Sequence, residues 1–85
     1  MKNNITPPII TLVGFRRMKH KQGNRFFDPG CVATSSDNQD LTELVYVSGE
    51  VDINTGGEYV LRYGVCDAHG NSAIPVERVV EVTDE

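Results

Sequence analysis

At 85 residues the chain is sized for one small domain, which buries only about 60–65% of the surface its unfolded form exposes. Apolar residues make up 39% and tryptophan is absent, so Val, Ile, Leu, Tyr and Phe suffice for a two-layer core but not for a deep substrate pocket as well. A net charge of −4 excludes the basic profile of a nucleic-acid binder, and no stretch is long and apolar enough to insert in a membrane as a helix.

Residues 1–8 read as a linker. Met1-Lys2-Asn3-Asn4 lacks the apolar run of a signal peptide, and Pro7-Pro8 stiffens the entry and blocks helix formation. Residues 9–13 (Ile-Ile-Thr-Leu-Val) form a β-branched strand signal ending at Gly14. Arg16 to Lys21 alternates Met18 and His20 against cations, as a short edge strand would. Turns follow at Gly23-Asn24 and Asp28-Pro29-Gly30. A short strand at 31–34 leads into the polar loop 35–40, and a further strand covers 44–47. Val51 and Ile53 alternate with polar residues before the turn Asn54-Thr55-Gly56-Gly57.

The clearest segment is 59–66, where Tyr59, Leu61, Tyr63 and Val65 alternate with Val60, Arg62, Gly64 and Cys66. A period of two over eight residues predicts a strand with one buried face. After the turn 68–71, the stretch 73–83 places Val80 and Val82 on one face and Ala73 on the other parity. A β-bulge near Pro75 is expected to reconcile them. No segment has helical periodicity. About seven short strands with regular turn signals predict an all-β, antiparallel β-sandwich over residues 9–83, with 84–85 as a tail.

The ordered series Pro7-Pro8-Ile9-Ile10-Thr11-Leu12, Phe27-Asp28-Pro29-Gly30 and Asp40-Leu41-Thr42 continues with Val47-Ser48-Gly49-Glu50-Val51-Asp52, Gly57-Glu58-Tyr59 and residues 63–71. Together these resemble the immunoglobulin-like (Ig-like) repeat of bacterial surface proteins and some pesticidal crystal proteins, which is related to hyalin-type repeats. The resemblance implies a non-enzymatic, tandem, extracellular or cell-surface module. Its partners would be neighbouring domains of the same chain, which it spaces, presents or helps to anchor. Three positions depart from the pattern: the cations at 16–25, Ser35-Ser36 where Asp-Asn is common, and Cys31 and Cys66 where small or hydroxyl residues are usual.

Three constellations carry chemistry. Five of the eight basic residues (Arg16, Arg17, Lys19, Lys21 and Arg25) are flanked by Phe15, Phe26 and Phe27. The stretch reads either as a charged edge that discourages edge-to-edge pairing or as a binding surface for a glycan or other anionic surface. Binding would use Phe15, Arg16, Arg17, Lys19, Lys21, Arg25 and Phe27, with Phe26 buried. Asp37, Asn38, Asp40 and Asp67 are hard oxygen donors that suit calcium, or else turn-forming side chains bonded to nearby amides; no other cofactor is implied. The resemblance to Ig sandwiches suggests a Cys31–Cys66 disulfide between sheets, worth roughly 3–4 kcal/mol by loop-closure entropy. Against it, Cys66 has the outward parity of Arg62, leaving two free thiols as the alternative. No ordered Ser, His and Asp set points to catalysis.

Overall fold

The computed structural model describes residues 6–84, so most of the linker expected at 1–8 lies outside the described residues. The described residues form six strands: β1 (Ile9–Leu12), β2 (Arg17–Lys21), β3 (Cys31–Thr34), β4 (Tyr46–Ser48), β5 (Gly57–Gly64) and β6 (Val76–Thr83). A 3-10 turn, Thr42–Leu44, precedes β4. β1 and β3 make a two-stranded antiparallel sheet, and the second sheet has the order β2-β6-β5-β4. The sandwich is therefore real but not wholly antiparallel, because β2 runs parallel to β6 with Arg17 opposite Val79 and Lys21 opposite Thr83.

Two expectations need correction. Residues 51–53 are not a strand but part of a turn, since the Asp52 side chain accepts the Asn54 amide and its carbonyl accepts that of Thr55. These local bonds outcompete pairing, while Val51 and Ile53 still turn inward and are half-buried. The parity change near Pro75 occurs as a break rather than a bulge within a strand. Cys66 bridges to Ser72 and the Ala73 amide reaches the Val65 carbonyl, after which β6 starts at Val76.

The core is formed by Ile10, Ala33, Leu41, Leu61, Tyr63, Val65, Ala73, Val80 and Val82. The expected inward face of β5 is borne out: Leu61, Tyr63 and Val65 are buried, and Arg62 and Cys66 are exposed. Phe26 is only half-buried, packed against the core edge. Two glycines fix close approaches. Gly49 (φ 99°) would set a Cβ 2.2 Å from the Val60 carbonyl oxygen, so no L side chain fits there. Gly64 lies beneath the ring of Tyr46, its partner across the strand pair.

Arg78 occupies a core position between Val76 and Val80 on the inner face of β6 and is 0% exposed. Its Nη2 donates to the carbonyls of Val13 (2.7 Å) and Gly30 (2.9 Å), and Nη1 donates to that of Phe15 (2.8 Å). Nη1 also touches Met18 Sδ. Nε donates to the Tyr63 hydroxyl at 3.2 Å, and that hydroxyl donates to Asp28, whose carboxylate lies 3.7 Å from Nε. The cation is thus paired and hydrogen-bonded throughout, the condition under which a buried charge is tolerated. Among the described residues no buried side-chain N or O atom lacks a partner.

The strand directions separate the two ends of the module. Pro8, Ile9 and Ile10 share an apolar groove with Ile74 and Val76, so the chain enters beside the start of β6. At the other end, the Gln22 amide donates to the Thr83 carbonyl and the Gly23 amide to that of Ile53. The turns 21–24 and 52–57 therefore enclose the point where β6 leaves the fold.

Replacing Arg78 by Met leaves three part-buried carbonyls without this donor and the Tyr63–Asp28 pair without its cation. Urea denaturation is expected to show a loss of at least about 3 kcal/mol, whereas Arg62→Met, on the exposed face, should stay within about 0.5 kcal/mol. Burial, followed by the bond to Asp28, pushes the Tyr63 phenol up to about 12. A raised pKa favours the neutral folded form, so its contribution is intact below pH 10.0, the reference value, and is lost as pH rises toward about 12. Alkaline ultraviolet titration should show this late ionisation in the wild type and its absence in Tyr63→Phe.

Candidate functional site

The basic stretch is an outward-facing edge. On β2, Arg17, Lys19 and Lys21 point to solvent, while Met18 and His20 are half-buried. His20 meets Phe26 edge-on at 5.2 Å between ring centroids and shares a hydrogen bond with the Asn24 carbonyl. The cations are not equivalent. Arg17 is ion-paired to Glu58 on β5 and lies 3.6 Å from Glu81 on β6. The bond to Glu58 and its charge hold the Arg17 guanidinium in its protonated form above the ordinary arginine value. Lys19 and Lys21 form a rim with His20 and Thr83. Arg16 is exposed, and its backbone carbonyl accepts the Val79 amide.

The aromatic residues at the two ends of the stretch come from adjacent loops. Gly14 lies against Pro29, which brings the 13–16 crossover next to the 27–30 turn. From these loops Phe15 and Phe27 project into solvent, 78% and 72% exposed, and the Arg25 guanidinium sits 5.8 Å from the centroid of the Phe27 ring. An exposed ring face with a cation over it suits stacking on a planar or sugar-like group. Nearby, Arg25, Phe26 and Asp28 face Glu50, Val51, Ile53 and Leu61 across a shallow cleft. The cleft arises because the smaller sheet has two strands, so the loop after residue 24 closes that half of the sandwich. This cleft was not foreseen from the sequence, and neither was the Arg78–Tyr63–Asp28 cluster. An arginine at the same parity as Val76, Val80 and Val82 was the signal for that cluster.

The oxygen donors considered for calcium serve their own loops. Asp37 accepts the Ser35 hydroxyl, and the Asn38 amide donates to the Ser35 carbonyl with Asn38 at φ 67°, a conformation Asn tolerates better than most residues. Asp40 accepts both the amide and the hydroxyl of Thr42, and the Thr42 hydroxyl oxygen in turn accepts the Ala33 amide. These bonds, hydroxyl first, hold the Asp40 carboxyl below the usual carboxylate range. Asp67 accepts the amides of His69 and Asn71 and the Asn71 side chain. Burial pushes its carboxyl up, but those bonds outweigh it and leave it lowered. Among the described residues no group of three or more His, Cys, Asp and Glu side chains could hold a metal ion.

The cysteines are free. Cys31, opposite Leu12, is half-buried, and burial with the nearby Asp28 charge pushes its thiol up despite Arg78. Cys66 points outward, its Sγ 3.2 Å from the Ser72 hydroxyl oxygen. The cross-sheet disulfide considered from the sequence is thus not formed, for the parity reason visible in β5.

Two packed sheets, with a β1-to-β2 crossover that changes sheets, set this chain beside known domains. Residues 10–82 match the family model described as bacterial surface protein, Ig-like domain. The chain belongs to that family. No curated protein matches it. Among solved structures, this Ig-like domain is similar to the lipoprotein BT2262 from Bacteroides thetaiotaomicron, with 30% identity and a TM-score of 0.78. The alignment covers 89% of this chain and 37% of that one. Two Clostridium perfringens ZmpB structures share the fold. One holds CBM51-2 in complex with GlcNAc and INT domains (22% identity, TM-score 0.72, covering 92% of this chain and 17% of that chain). The other holds the M60 catalytic domain with CBM51-1 and CBM51-2 (22% identity, TM-score 0.74, covering 94% and 8%). The Ig-like domain therefore spans well under half the length of each of these chains.

Because the Asp37, Asp40 and Asp67 carboxylates are already engaged within their own turns, added calcium is expected to leave the melting temperature and amide NMR shifts unchanged. A calcium-dependent rise in melting temperature would contradict this.

Proposed function

We propose that this Ig-like domain is a non-catalytic module of an extracellular or cell-surface protein, holding neighbouring domains of one chain apart and in a fixed direction. The observation that carries this reading is the placement of entry and exit: Pro8 to Ile10 lie beside the start of β6, and Thr83 lies at its far end among the turns 21–24 and 52–57. A domain threaded in this way adds its own length to the chain, and eight residues of β6 alone span about 25 Å. Similar folds occur within much longer chains, consistent with a module set among others. The polar groups that a hydrolytic site would use are here spent on turns: Ser35 bonds Asp37 and the Gln39 amide.

A second reading rests on the exposed Phe15 and Phe27 with Arg25 over Phe27. In this reading the module also contributes to adhesion by binding glycan through that platform.

Two measurements test these readings. With fluorophores fused at either end, energy transfer should report a fixed end separation above about 25 Å that grows and broadens on denaturation; a short, variable separation in the folded domain would overturn the spacer reading. A glycan array and a heparin column test the second. Retention abolished by Phe15→Ala with Phe27→Ala supports adhesion, and absence of retention leaves spacing as the function.

A further inference from the structure

We infer that the domain is built to bear tension along its chain, with the parallel β2–β6 pair as the element that yields last. The inference rests on the spacer reading and adds to it a mechanical role. Residues entering at Pro8 lead through β1 to the first residue of β2, while the chain leaves from the last residue of β6. β2 and β6 are parallel, with Arg17–Lys21 in register with Val79–Thr83. A pull on the two ends therefore draws β2 toward the entry end and β6 toward the exit end.

The hydrogen bonds between parallel strands cross the strand axis, so this pull loads the whole ladder at once and in shear. The ladder is closed at both ends, by the Val79 amide on the Arg16 carbonyl (2.8 Å) and by the Gln22 amide on the Thr83 carbonyl (2.6 Å). A pull in which both strands are drawn from the exit end would open the same bonds one at a time. β1 is loaded in the same sense against β3, since Ile9 faces Thr34 and Leu12 faces Cys31 in antiparallel register.

Two further features resist sliding. Arg78, on β6, holds the carbonyls of Val13 and Phe15 within the crossover from β1 to β2. Arg17, on β2, is paired across β6 to Glu58 on β5 and lies near Glu81 on β6. β2 and the crossover that precedes it are thus joined to β6 by side chains as well as by backbone.

The register also provides an internal control. Arg16 and Gln22 bond toward β6, so in a parallel ladder the amides of alternate residues, Met18 and His20, face β6 and that of Lys19 faces solvent. His20→Pro removes a donor from the ladder, whereas Lys19→Pro removes none.

Single-molecule force spectroscopy on the full chain, with handles at its two ends, tests the inference. Forced unfolding reports the barrier along the pulling direction. End-to-end pulling should require several-fold more force than pulling between Asn24→Cys and the C-terminal end, in a background carrying Cys31→Ala and Cys66→Ser. His20→Pro should bring the end-to-end force down toward the second value, and Lys19→Pro should leave it near wild type. Equal forces in the two directions, or equal forces for the two proline variants, would overturn the proposal. Should His20→Pro fail to fold, the comparison of directions decides alone. A low end-to-end force with the expected separation of fused ends removes only the mechanical role, whereas a wrong separation removes the spacer reading itself.

Discussion

One buried guanidinium organises the fold. Arg78 receives nothing from water, so every N–H it presents has to find an acceptor in the chain, and those acceptors come from three loops or strands distant in sequence: Val13 and Phe15, Gly30, and Tyr63 with Asp28 behind it. The crossover from β1 to β2 is irregular backbone beside the core, and its Val13 and Phe15 carbonyls take their hydrogen-bond donors from outside the crossover. Arg78 supplies those bonds. In doing so it permits a chain of this length to divide its first strand between two sheets, which in turn creates the parallel pairing of β2 with β6.

The small second sheet has its own consequences. Two strands cannot cover the inner face of a four-stranded sheet, so the chain uses turns and loops as a substitute layer. Phe26 packs beneath the 49–53 turn, and Asp40, Leu41 and Thr42 close the free edge of β3 through the Leu41 amide on the Ala33 carbonyl and the Ala33 amide on Thr42. Many of the polar side chains that look available for binding are engaged in this closure. Among the described residues, Phe15, Phe27, Lys19 and Lys21 stay exposed to solvent.

Much of this was legible in the sequence. The alternation from Tyr59 to Cys66 set both the buried face of β5 and the outward direction of Cys66, because period-two patterning fixes side-chain direction directly. The Ig-like class followed from the ordered turn motifs. What the sequence concealed depended on long-range partners. Val51 and Ile53 are apolar at strand spacing, yet Asp52 and the approach of Gly49 to Val60 bend them into a turn. The Arg17–Glu58 pair needs β6 between its partners, so the basic stretch is less positive on the surface than its composition suggests. Arg78 carries a charge that composition alone places at the surface, although its parity with Val80 and Val82 points inward.

The placement of Arg78 on the last strand also bears on how the chain is made. Until β6 emerges during synthesis, the carbonyls of Val13, Phe15 and Gly30 have no guanidinium to meet, and β2 and β5 have no strand between them. Contacts so far apart in sequence form late and slowly. A nascent chain lacking its final strand is therefore held short of its native state. Under the proposed surface role, which would require export of the unfolded chain, such a delay would keep folding from preceding transport.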